Sequence, residues 1–431
     1  METNRFWQGV RLAVISLFTL GLLSIAPASL RAQTNAKDVL KTYADIAHAA
    51  YEDSLVSAQT LRETLNTFLA KPNRQTHSAA KAAWLAARVP YQQTEAYRFG
   101  NAVVDDWEGK VNAWPLDEGL IDYVSKDYGT ESDENSLYVA NVIASKSIKI
   151  SGRTVDTSRI TKALLTKVLH EAGEIEANVA TGYHAIEFLL WGQDTNGTGP
   201  GAGNRQPSDF DIRKCTNGNC DRRAAYLRVA TDLLVDDLAW ITDQWSQQGE
   251  ARKELLGGDP AAGLISIFTG LGSLSYGELA GERMKLGLLI HDPEEEHDCF
   301  SDNTHNSHFY DALGIRNVYL GRYRRIDGSV VAGASPADLV KEKAADIDTA
   351  LRASIDKTLS AMGEIVLRAE RIEAYDQMIG EGNDAGNAVV QAAIDALLEQ
   401  TRAIERAVAS LKLKSIAFEG SDSLDSPKKV K

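Results

Sequence analysis

Residues 39–69 read VLKTYADIAHAAYEDSLVSAQTLRETLNTFL. Val39, Tyr43, Ile46, Ala50, Leu55, Ala58, Leu61, Leu65 and Phe68 recur every three or four positions. That period is one apolar stripe along a long amphipathic helix. Lys71-Pro72-Asn73 ends it, because proline cannot continue the helical ladder. The pattern returns over 75–99, stopped by Gly100-Asn101, and again over 159–179, 183–190, 221–245 and 261–289. Ser335-Pro336-Ala337-Asp338 opens a further helix, with Ser335 as cap and Pro336 in the first helical position. A last helix over 387–411 carries Val390, Ile394, Leu397, Ile404, Val408 and Leu411 at the spacing of a bundle seam.

No convincing run of alternating strand residues interrupts these helices. The expected fold is all-α, two helical bundles packed together over 33–195 and 221–415. The Gly- and Asn-rich stretch 196–220 reads as the loop between them. Residues 416–431, rich in Ser, Asp and Lys, read as a disordered tail. The chain's 431 residues leave room for two such domains.

Lys plus Arg number 46 against 60 Asp plus Glu, a net charge of −14. A field of that sign repels phosphate backbones, so no nucleic-acid partner is expected. It is compatible with a cation ligand. At the N-terminus, Arg5 and Arg11 flank an apolar run from Leu12 to Ala26, and small residues follow to Ala32. This is the shape of a secretory signal over 1–32, with cleavage after Ala32; a retained anchor is the alternative. No later segment is long and apolar enough to span a membrane. The expected location is therefore the periplasm or the outer-membrane face. Three cysteines occur. Cys215 and Cys220 flank a polar turn and are expected to pair in an oxidising compartment, with two reduced thiols as the alternative. Cys299 is then left over.

Four stretches carry chemistry. In Gly182-Tyr183-His184-Ala185-Ile186-Glu187, His184 and Glu187 stand at i and i+3, on one helical face. Imidazole with carboxylate suits Fe, Zn or Mn. The apolar Phe188-Leu189-Leu190-Trp191 that follows implies burial, where such groups need partners; a satisfied core pair would look the same. Trp84, Arg88, Tyr91 and Glu95 fall on one face if their segment is a single helix. The loop Asn112–Gly119 offers Asp117. In the acidic run from Glu294 to His305, Asp302 and His305 also stand at i and i+3; a solvated loop is the plainer reading of that run.

With these motifs together, the sequence resembles the imelysin-like, iron-regulated proteins of bacterial envelopes over nearly all of its mature length. The resemblance rests on Gly182, His184 and Glu187 as GxHxxE, and on the Trp84–Glu95 stretch. It rests also on Asn112-Ala113-Trp114-Pro115-Leu116-Asp117-Glu118-Gly119, Cys215–Cys220, Gly281-Glu282-Arg283-Met284 and Cys299–His305. It implies two related helical bundles, export, and a metal site at HxxE. By analogy with related iron-uptake proteins, Glu95 and Asp117 would complete the shell and Arg88 would orient Glu95. The implied ligand is a divalent or trivalent metal ion, iron first and zinc second. The implied partners are envelope iron-transport components. Some members carry a metallopeptidase label, so a metallopeptidase is the alternative function. Against it, HExxH is absent; His170-Glu171-Ala172-Gly173-Glu174 lacks the second histidine.

Overall fold

The side chain of Asn35 accepts a hydrogen bond from the Lys37 amide at 3.0 Å and so caps the first helix, α1 (Ala36–Ala70). The computed structural model describes residues 34–430; the expected signal segment lies outside them. The apolar stripe of α1 is buried as its spacing requires, from Val39 to Phe68. An Asn73–Thr76 capping box opens α2 (Arg74–Gln92), which returns antiparallel along α1. Pro90 lies in its last turn. Pro90 has no amide to donate, and α2 unwinds two residues later into a tight turn over Glu95–Tyr97.

The first bundle is completed by α3 (Ala102–Asn112), α4 (Gly182–Trp191) and α5 (Cys220–Trp245). α5 packs along α1 and α4. α5, which chain order assigns to the expected C-terminal bundle, thus packs with the N-terminal helices. α6 (Pro260–Ser273) runs directly into a π-helical stretch, Leu274–Lys285. α8 (Ala345–Arg371) packs on both α7 (Thr304–Leu320) and α9 (Asp384–Ser410), and α7 and α9 each pack on that stretch. α7 also packs on α2, which brings the two groups of helices together.

Three expectations need correction. The stretch 159–179 is helical only over Lys162–Leu164 and a π turn, Leu165–Leu169, and irregular after it. Two short hairpins exist, Ser147–Ile150 with Arg153–Asp156 and Arg322–Arg324 with Val330–Ala332. The tail over 416–430 is placed, not disordered. Its backbone lies against glycines of the π-helical stretch: a Cβ on Gly277 would sit 2.5 Å from the Glu419 carbonyl oxygen. The Ser423 hydroxyl donates to the Gly281 carbonyl at 2.9 Å. Composition suggested disorder, but the groove that seats the tail is written elsewhere in the chain. Ser335 caps Pro336–Lys343 as its sequence suggests. Cys215 and Cys220 are bridged, with Cα atoms 5.8 Å apart.

Arg283 ties the two groups of helices together. Its guanidinium donates to Glu95 at 2.6 Å, to Asp311 at 3.0 Å and to Glu278 at 2.8 Å. Glu95, Asp311 and Arg283 are each buried. Removing one partner from a buried ionic cluster leaves the others uncompensated. Arg283→Ala is therefore expected to cost about 3–5 kcal/mol. Lys357→Ala, which breaks the exposed pair with Glu399, should cost about 1 kcal/mol or less. Chemical denaturation of the two variants checks the contrast; equal losses would contradict it.

His77 makes a second test. Its Nε2 donates to the Leu190 carbonyl at 2.8 Å and its ring stacks on Phe68. Burial, aided by the Lys81 charge, pushes its pKa down to about 4. The folded protein therefore holds fewer protons here than the unfolded chain. The stabilisation is whole above about 6.5 and is lost as pH falls toward about 4. His77→Gln should lose less stability than the parent between about pH 7 and about pH 4. Parallel melting curves at the two pH values decide it.

Candidate metal centre

The GxHxxE motif sits at the start of α4, and Gly182 shows why a glycine stands there. Its φ is +81°, and a Cβ would lie 2.5 Å from the Val111 carbonyl oxygen at the end of α3. Only glycine fits both the backbone angle and the approach. Trp84 of α2 donates its indole N–H to the Tyr183 carbonyl at 3.0 Å and holds the other side. α4 is buried on every face, which its uninterrupted apolar run implies.

His184 and Glu187 do share a face. His184 Nδ1 and Glu187 Oε2 are 3.0 Å apart. Glu187 Oε1 accepts from the Ser301 amide at 3.0 Å and from its hydroxyl at 2.7 Å. His184 Nε2 is buried and has no hydrogen-bond partner. Across from His184 the chain brings His297 and Asp298, from the irregular segment before α7. The two imidazole rings lie edge to face with centroids 4.8 Å apart. Asp298 Oδ1 lies 4.0 Å from His184 Nδ1 and 3.8 Å from His297 Nδ1. One ligand atom from each of His184, His297 and Asp298 falls within 4.8 Å of the others.

Arg88 holds this group. It donates to Asp298 Oδ1 at 2.6 Å and to Asn112 Oδ1 at 2.6 Å. Asn303 donates to Asp298 Oδ2 at 2.7 Å. Burial would raise the Asp298 carboxyl, but the Arg88 charge beside it wins and holds it at about 2. Burial and the Arg88 charge push His184 down to about 3, and burial carries His297 well below its ordinary value. Both imidazoles are neutral at physiological pH, as metal ligands must be. Burial and the Asp298 charge hold Glu187 well above the ordinary carboxylate range.

The other expected site residues lie elsewhere. Glu95 stands beyond the end of α2 and pairs with Arg283. Arg88 therefore orients Asp298 rather than Glu95. The one-face reading failed because α2 stops at Gln92, before Glu95. Asp117 precedes the short helix Glu118–Ile121 and accepts from Asn135; it lines a separate cavity with Trp114 and Tyr128. Asp302 feels the charges of Asp376 and Asp194. His305 Nε2 contacts the Asn306 amide at 3.0 Å and its Nδ1 is buried without a partner. His297 and Asp298 were not singled out, since adjacent residues in an irregular segment have no periodicity. Two histidines in so acidic a run were the available signal.

The imelysin family model matches residues 47–404. The chain belongs to the imelysin family. Iron-regulated protein A of Synechococcus elongatus is 33% identical over 72 residues, which is 16% of this chain and 20% of that relative. The alignment thus spans a fifth of that relative's length. Two solved structures share the fold. An iron-regulated protein A precursor from Parabacteroides distasonis has a TM-score of 0.62 at 18% identity, over 89% of this chain and 98% of that one. An imelysin-like protein from Psychrobacter arcticum has a TM-score of 0.55 at 14% identity, over 90% and 99%.

Close approach at Gly182 predicts that this imelysin chain tolerates neither Ala nor Asn there. Asparagine accepts a left-handed backbone, yet its Cβ meets the same carbonyl. Each variant should lose about 2 kcal/mol or more in denaturation curves. Recovery by Gly182→Asn alone would show that the backbone angle, not the contact with Val111, selects glycine.

Proposed function

We propose that this chain is an exported metal-binding protein that handles iron at the bacterial envelope. The observation that carries the reading is the buried, partnerless Nε2 of His184, beside a second neutral histidine and an ionised aspartate. A buried polar atom without a partner costs free energy unless something supplies one. Two imidazoles and a carboxylate suit iron(II), with zinc as the second choice. His184, His297 and Asp298 would ligate. Glu187, bonded to His184 Nδ1, would fix the ring and stand ready as a further oxygen ligand.

Arg88 shapes how firmly an ion is held. Its fixed positive charge next to Asp298 opposes a cation as well as positioning the carboxylate. That weakens the hold and suits cargo that is taken up and passed on. A cavity of about 240 Å³, lined by Arg88, Asn303 and Ser307, reaches three of the residues that donate to Asp298 and offers a way in. The Arg5-to-Ala32 leader and the bridged Cys215–Cys220 support export. Envelope iron-transport components are the partners this reading implies. The metallopeptidase alternative needs a peptide to reach the metal, and His184, His297 and Asp298 are each at most 2% exposed.

Metal analysis of protein purified from its own envelope tests the proposal. Parent protein should carry iron, and His184→Ala and His297→Ala should each lower occupancy about tenfold or more at equal iron supply. Helical circular dichroism should stay unchanged. Parental iron content in both variants would sink the assignment. Chelator-sensitive peptide cleavage would move it to the metallopeptidase.

A further inference from the structure

A second group of buried polar atoms lies apart from the histidine centre. Asp376, at the start of the short helix Tyr375–Ile379, is 2% exposed, and neither of its carboxylate oxygens has a hydrogen-bond partner. Glu296 is 1% exposed; its Oε2 accepts from the Thr304 hydroxyl at 2.7 Å and its Oε1 has no partner. Both side chains line one small cavity with Glu118, Asp194 and Glu294. Glu118 is buried, Asp194 half-buried, and Glu294 exposed at the rim. The cavity is about 10 Å³, room for one water-sized occupant.

The donors come from four separate segments of the chain, so local solvation of a single acidic loop does not account for them. No lysine or arginine lines this cavity, among the described residues. None of the five carboxylates has a salt-bridge partner, among the described residues. Burial, reinforced by the Glu294 charge, pushes Glu118 up to about 8. Isolated buried carboxylates of this kind are costly to ionise, and a cation among them removes that cost. A larger cavity of about 470 Å³, lined by Glu118, Asp194, Glu294, Trp114 and Tyr128, adjoins the small one and leads outward.

We propose that Glu118, Asp194, Glu294, Glu296 and Asp376 form a second cation site, separate from the His184 centre, that takes a hard divalent cation of the calcium class. The chemistry follows from the donors. The free Cys299 also lines the cavity, but burial holds its thiol well above the ordinary value, so it stays neutral and the anionic donors are oxygen only. Calcium takes six to eight oxygens, carboxylates and waters together. Five carboxylates, each able to bind through one oxygen or two, can supply that number, while softer ions prefer the nitrogen ligands of the other centre. This inference stands independently of the iron reading, because it uses none of that centre's ligand atoms.

The test uses the full mature chain, freed of loosely held ions on a chelating resin. Calcium binding is followed by calorimetry, and terbium(III) is the luminescent probe, excited through Trp114 and Tyr128. The parent should bind calcium saturably and give sensitised terbium emission that calcium quenches. Asp376→Asn should weaken calcium binding at least about tenfold. It should also leave the ion-free melting midpoint unchanged or higher, because a buried charge has gone. A residue kept only for structure would lower it. Asp194→Asn, on a half-exposed loop where folding is tolerant, repeats the test if Asp376→Asn fails to fold. His184→Ala should retain parental calcium affinity. The proposal is overturned by a parent that binds no calcium at millimolar concentration, by carboxamide variants that bind like the parent, or by loss of calcium binding in His184→Ala.

Discussion

The buried ion pair between Arg88 and Asp298 is the constraint on which the centre depends. Both side chains are at most 1% exposed, and the two residues lie 210 positions apart in sequence. Removing two such charges from water costs several kcal/mol per ion. The structure offsets that with a full set of partners: Arg88 also reaches Asn112, and Asp298 also accepts from Asn303. Neither charge can leave its place without stranding the other. The consequence is positional. α2 lies among the N-terminal helices, and the segment bearing His297 and Asp298 leads into α7. The pair pins that segment beside α4, and the two histidines meet edge to face only because it is pinned.

Arg283 repeats the device where α7 and the π-helical stretch meet the turn after α2. It gathers Glu278 from its own π-helical stretch and Glu95 and Asp311 from two further segments. Apolar packing would hold the helices together with considerable freedom to slide. Two buried guanidiniums with fixed donor directions remove that freedom. They also set the electrostatics of the interior. The Arg88 charge lowers the Asp298 carboxyl against its burial penalty, and it helps keep His184 neutral. The same group therefore positions one ligand and sets the protonation of another.

How much of this was legible in the sequence depends on the range of the interaction. The stripe from Val39 to Phe68, the Ser335 cap and the GxHxxE spacing are local patterns, and each appears in the structure where it was read. Glu95 was misplaced because α2 stops at Gln92, so the spacing that would continue its face no longer holds; the residue lies in a tight turn and pairs with Arg283. The tail from Ile416 was misjudged for the opposite reason. Its own composition is polar, and what orders it is a row of glycines about 140 residues earlier. His297 and Asp298 belong to no periodic element at all. Their place is decided by Arg88, which no spacing rule connects to them.

The distribution of positive charge separates two kinds of site within one acidic protein. Around His184 the carboxylates are answered by arginines: Asp298 by Arg88, and Glu95, Glu278 and Asp311 by Arg283. What remains there for a metal is mostly neutral nitrogen, a donor set that discriminates by ligand type and coordination geometry rather than by charge. Around Asp376 no basic residue answers the carboxylates, among the described residues. What is missing there is charge, and a hard cation supplies charge with little demand on geometry. The net charge of −14 is therefore not spread evenly in its effect. Where arginine neutralises it, the interior is rigid and selective. Where no lysine or arginine does, among the described residues, the buried carboxylates of Glu296 and Asp376 stay uncompensated by the protein's own side chains.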